Sequence, residues 1–103
     1  MMTFKTMFFQ CQSTEMLFYH SGHPMSVYLL PPGAGGDLSN LQKVVLGPDL
    51  ASGQVVSYAV PPNTWFTRLV EAQETEDYCV FSCCLAPGFH INDFRAEALE
   101  NIK

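Results

Sequence analysis

The chain has 103 residues, five basic and ten acidic side chains, and a formal charge of −5, which bounds it to one small domain. Hydrophobic residues are 48% and charged residues 15% of the chain, excluding intrinsic disorder, which combines low hydrophobicity with high net charge. Lys5, Lys43, Arg68, Arg95 and Lys103 are scattered singly, so no nucleic-acid surface is expected. No apolar run approaches the ~18 residues of a spanning helix, and no membrane partner is expected. Met1–Gln10 carries Lys5 but no signal-like apolar stretch or small-residue cleavage site, so the expected location is cytoplasmic.

Segments rich in aromatic and β-branched residues, each of strand length, recur along the chain. Phe4–Cys11 comes first, then Met16–His20 and Met25–Leu30, the last two parted by the tight turn Ser21-Gly22-His23-Pro24. Pro31–Asp37 is a longer hairpin loop; it lacks a Lys-Ser/Thr ending and a following helix, so its glycines form no phosphate loop. Gln42–Leu46 is the next strand, and Gly47–Gly53 is a loop with one helical turn opened by Asp49. Val55–Val60 and Trp65–Val70 follow, broken by Pro61-Pro62-Asn63, and the acidic stretch Glu71–Asp77 leads into Tyr78–Cys84. In the tail, Asp93 is placed to cap a short helix over Phe94–Ile102, where Phe94, Ala98 and Ile102 recur at four-residue spacing. Strands separated by turns predict an all-β antiparallel sandwich or barrel.

Cys11, Cys79, Cys83 and Cys84 contain no C-x-x-C pair and no zinc-type spacing. On one strand, Cys79 and Cys83 face one side and Cys84 the other. At least three of the four are expected to be buried as small hydrophobes.

Two stretches carry a family resemblance: Ser13–Met25, and Val44–Leu50 through Val60–Trp65, closing with Cys83–Phe89 and Asp93-Phe94. In order and spacing, L-G-P-D-L, P-x-x-T-W and A-P-G-F resemble the small single-domain cupins long known as a domain of unknown function, jelly rolls similar to dTDP-sugar epimerases and seed-storage proteins. The resemblance implies an all-β cupin-type antiparallel jelly roll, a double-stranded β-helix. It divides residues 1–103 into an atypical N-terminal strand over 1–12, a cupin core over 13–95 and a tail over 96–103. It also implies further N-terminal strands ahead of Met1 that complete one sheet, so the jelly roll is expected to be incomplete there. An edge left unpaired would be met by a dimer or by Phe4–Cys11 as a replacement strand. As cupins are commonly dimeric, a homodimer is expected.

The departures from the pattern bear on chemistry. In the first cupin motif Glu15 and Gly22 keep their spacing, while the two histidine positions fall on Phe9 and Cys11 or on Phe8 and Gln10. Leu17-Phe18 replaces a Trp-His pair. In the second motif Asn63 stands for a glycine and Phe66 for the metal-binding histidine. Phenylalanine cannot coordinate, and a divalent ion needs three or four converging N, O or S ligands, so no metal and no other cofactor is expected. His20 has the opposite strand parity to Glu15, and His23 and His90 lie in or after turns.

A pocket is therefore expected to be built from Glu15, Tyr28, Trp65, Phe66, Arg68 and Phe89. Glu15 is either a buried carboxylate, partnered by Arg68 or anchoring a ligand, or an exposed residue at the mouth. Trp65 is read as a rim residue and Phe89 as aimed at the barrel end by the Ala86-Pro87-Gly88 turn. Aromatics with a few polar groups suit a small planar, sugar-like or acid-like ligand, while core packing is the plainer role for each ring. The leading expectation is ligand binding without metal and without strong catalysis. A metal-independent carbohydrate isomerase or epimerase, or a dimerising interaction module, stands beside it.

Overall fold

The computed structural model describes residues 7–33, 38–71, 77–88, 94–98 and 102. The chain orders β1 (Met7–Cys11), β2 (Thr14–Gly22), β3 (Met25–Leu30), β4 (Gln42–Leu46), β5 (Ser57–Val60), β6 (Trp65–Leu69), β7 (Cys79–Ala86) and β8 (Phe94–Ala98). A five-stranded sheet runs β4-β3-β6-β1-β8 and a three-stranded sheet β5-β2-β7, with every strand pair antiparallel. This is the two-sheet arrangement expected of a jelly roll. Among the described residues no helix is long and apolar enough to cross a membrane.

Alternation on the strands builds the core. Leu17, Met25, Val27, Leu29, Leu46, Val60 and Phe66 form a buried cluster between the sheets, and the neighbouring positions of β1, β3 and β6 turn the other way. Phe8, Leu30 and Trp65 pack there with Ile102 in a second cluster. The five-stranded sheet is thus covered on both faces over β3, where every residue is buried.

The turns follow local chemistry. After β4 the chain folds back through a 3₁₀ turn, Leu50–Ser52, closed by Gly53 in the left-handed region. There the Ser52 hydroxyl donates to Asp49 Oδ2 at 2.7 Å. Asn63, standing where the resemblance expects glycine, has φ of 62°. Asparagine is among the few residues that tolerate this conformation, so the turn survives the exchange. It is pinned by Asn63 N donating to Cys11 O at 2.8 Å.

Two expectations are corrected. Phe94–Ala98 is a strand rather than the start of a helix: it pairs with β1 from Met7↔Ala98 to Cys11↔Phe94. The ladder satisfies backbone groups along β1 that a short, weakly capped helix would leave open, and Phe94 stacks on Phe9 at 5.7 Å. The cap residue expected for that helix, Asp93, lies outside the described residues. Of the four cysteines, all free, only Cys11 is buried; Cys79 is intermediate, and Cys83 and Cys84 are exposed. Cys79, Cys83 and Cys84 sit on β7, which has β2 as its one strand neighbour among the described residues.

Candidate functional site

Strand parity places Glu15, Leu17 and Tyr19 of β2 toward the five-stranded sheet, and Phe66 and Arg68 of β6 toward β2. Arg68 bridges the sheets: its Nη1 lies 3.7 Å from Glu15 Oε2. This is an ion-pair distance but too long for a good hydrogen bond. Glu15 is 9% exposed, and its Oε2 has no hydrogen-bond partner among the described residues. The guanidinium lies over Phe81 at 5.0 Å and over Phe66 at 5.7 Å from the ring centres, a cation–π seat that keeps it extended.

Burial pushes the Glu15 carboxyl above its ordinary range, and the Arg68 charge pulls it only part of the way back. A carboxyl raised on folding stabilises the protein most when protonated in both states; that advantage fades as pH rises from the unfolded value through the folded one. As pH rises above the ordinary carboxyl range, wild type should therefore lose stability relative to Glu15→Gln. Urea unfolding of both at each pH measures this, and parallel curves would refute it.

Of the other expected pocket residues, Tyr28 and Trp65 lie on the opposite face of the five-stranded sheet from Arg68. Tyr28 is 1% exposed. Its hydroxyl donates to Glu71 Oε1 at 2.5 Å, and Ser26 Oγ donates to Glu71 Oε2 at 2.7 Å. Lys43 Nζ adds an ion pair to Glu71 Oε2 at 3.2 Å. Hydrogen bonds from Tyr28 and Ser26 hold the Glu71 carboxyl below its ordinary range, against a smaller opposing effect of burial. Trp65, read as a rim residue, is 8% exposed within the second cluster, with the Arg95 guanidinium 5.5 Å from its ring centre. Phe89 and His90 fall outside the described residues. Among the six expected pocket residues, the structure thus brings together Glu15, Phe66 and Arg68.

Phe81, the closer ring beneath Arg68, is one of the strand aromatics the sequence offers for a pocket, but its place against Arg68 was not foreseen. Its signal was present: it alternates with Cys79 and Cys83 and pairs with Tyr19 across β2. The Ser26–Tyr28–Lys43–Glu71 group was also unanticipated, although Ser26 and Tyr28 share a strand face and Lys43 pairs with Tyr28.

The residues do not fit a cupin-type metal. Phe9 and Phe66, two positions where the resemblance would put imidazoles, are paired across β1 and β6 with ring centres 6.5 Å apart. The surviving acid, Glu15, faces a guanidinium, which disfavours a second cation beside it. Among the described residues no three His, Cys, Asp or Glu side chains gather as a metal site would require. His20 hydrogen-bonds Ser82 at 2.8 Å in an exposed setting, and His23 Nδ1 lies 2.8 Å from Pro24 O.

Two antiparallel sheets enclosing a carboxylate and aromatic side chains define a jelly-roll protein of the cupin type. The chain belongs to the family described as Cupin superfamily (DUF985), which matches residues 4–97. Among solved structures it is similar to protein SO0799 from Shewanella oneidensis, with 26% identity and a TM-score of 0.73, over 85% of this chain and 51% of that one. A hypothetical protein from Leishmania major is similar at 25% identity and a TM-score of 0.67, over 85% of this chain and 55% of that one. The chain therefore spans about half the length of these structures. No curated protein matches it.

Proposed function

We propose that the Glu15–Arg68 pair between the sheets binds a small sugar- or acid-like organic molecule without a metal. The observation that carries this reading is the incompletely satisfied pair. Glu15 keeps a buried oxygen with no hydrogen-bond partner among the described residues, while Arg68 holds a planar set of donors between two rings. Leaving such an oxygen dry costs about 1–3 kcal/mol, which a ligand hydroxyl would recover, and a ligand carboxylate or hydroxyl oxygen would occupy Arg68. Phe66 and Phe81 provide the apolar walls that orient a small ring.

Catalysis has less support. An epimerase-type mechanism needs a base and an acid within hydrogen-bond reach of one carbon centre, and His20 and His23 are engaged elsewhere. The reading includes a cytoplasmic location, supported by four free thiols.

A thermal-shift screen of neutral sugars, sugar acids and nucleotides tests it. A ligand at 100-fold excess over its Kd adds about 2.7 kcal/mol of stability. The expected result is a shift with a hydroxylated acid that Arg68→Met abolishes, measured from that variant's own baseline. No shift with any of the three classes would overturn the proposal.

A further inference from the structure

We propose, resting on the reading of the Glu15–Arg68 pair as a binding site, that it takes up a hydroxy carboxylic acid together with one proton from solvent. The ligand carboxylate replaces Glu15 at Arg68, and the proton comes to rest on Glu15.

A count of charges between the sheets carries this. Of the other charged strand residues, Lys43 shares a sheet face with its partner Tyr28, Arg95 with Gln10 and Glu97 with Phe8, all turned away from β2. Glu15 and Arg68 are thus the one acid and the one base between the sheets among the described residues. With both ionised the pair is neutral. A ligand carboxylate makes two anions against a single guanidinium, beside the buried apolar cluster of Leu17, Val27, Val60 and Phe66. A buried group in that position sheds its charge, because two carboxylates sharing a site cannot both stay ionised at low cost.

Of the two carboxyls, Glu15 is the one to protonate. It is 9% exposed, its Oε2 lies 3.7 Å from Arg68 Nη1, and that oxygen has no hydrogen-bond partner among the described residues. Burial already favours its neutral form. The incoming carboxylate is free to take the paired two-bond geometry on the guanidinium, whose side chain is 28% exposed and open to a ligand from solvent. Protonated Glu15 holds both a donor and an acceptor. A hydroxyl on the acid matches both, so the oxygen left bare in the free protein gains a partner.

The other titratable side chains turned toward this layer are Tyr19 on β2, Tyr58 on β5, Cys79 and Cys83 on β7, and Cys11 on β1. Phenols and thiols are largely uncharged at neutral pH, so they add no second cation to balance the ligand. His20 has the opposite parity to Glu15 and bonds Ser82.

Titration calorimetry of the full chain with glycolate, L-lactate, D-gluconate and D-glucuronate tests this. Each acid is run in two buffers of unlike ionisation enthalpy, across a pH series from weakly acid to weakly alkaline, which counts the protons taken up per ligand. For an acid that binds, uptake should approach one proton where free Glu15 is ionised, with Kd rising about tenfold per pH unit there. Glu15→Gln should bind that acid without proton uptake, and more tightly than wild type at the alkaline end. Failure of all four acids to bind would sink the binding site itself, and the coupling with it. Binding by wild type with no net proton uptake anywhere in the series would overturn the coupling alone, and this measurement stands whether or not the variant folds. Uptake that persists in Glu15→Gln, or loss of binding in the folded variant, would overturn it as well.

Discussion

Replacing Gly22 by alanine is expected to cost about 3 kcal/mol, combining backbone strain with overpacking, or roughly 12–24 °C in Tm for a domain of this size. Gly22 ends β2 with φ of 95°, a conformation that L side chains rarely adopt. Its Cα also lies against the chain entering β7, where an added Cβ would overlap the Tyr78 carbonyl oxygen. That oxygen is not free to move, because it accepts from His23 N at 2.6 Å. Tyr19 Oη further ties the turn to Gly22 O at 2.7 Å. Gly53 provides the control. It has φ of 88°, but nothing lies within 4 Å of where its Cβ would sit, so Gly53→Ala should lose only the strain contribution. Equal losses for the two variants in urea unfolding would show that the Tyr78 contact carries no weight.

Phe66→Ala is expected to cost about 3–5 kcal/mol, the usual range for emptying a buried phenylalanine site, against a total stability of about 5–15 kcal/mol for a small domain. The ring is 5% exposed and belongs to the core between the sheets, opposite Leu29 on β3 and Phe9 on β1. Its removal also takes away one of the two faces over which Arg68 is held. Stability should therefore fall together with any ligand-induced shift. Phe66→Leu, which keeps most of the volume, should preserve the fold and separate the two roles. Chemical denaturation of both variants measures this. A loss below about 1 kcal/mol for the alanine variant, within the range of surface substitutions and their neighbours, would place the ring outside the core.

Much of the architecture is legible in the amino-acid order because strands and turns are written in local chemistry. The described strands β2 to β7 each overlap an expected segment, and the Gly22, Gly53 and Asn63 turns stand where φ must turn positive. The Glu15–Arg68 pairing could be read as one alternative because each is an isolated charge in an apolar strand. Sites on the sheet's two faces were harder to tell apart. Tyr28 and Trp65 occupy apolar strands just as Phe66 does, and nothing local says which face of β3 or β6 meets β2. The four-residue spacing of Phe94, Ala98 and Ile102 was equally compatible with a helix. A short helix is marginal by itself, and the ladder offered by β1 decides for a strand.

The sequence by itself determined an acidic, apolar-rich all-β chain and its turn positions, and its family resemblance implied the loss of imidazoles at Phe66 and at Phe9 and Cys11 or Phe8 and Gln10. Only the tertiary structure decided that Arg68 crosses between the sheets to Glu15 over Phe81, that Tyr28 is held by Glu71 on the other face, and that Cys83 lies exposed on β7. Alternation along a strand is a local property with a period of two residues. Which sheet faces which is set by long-range pairings among residues far apart in the chain.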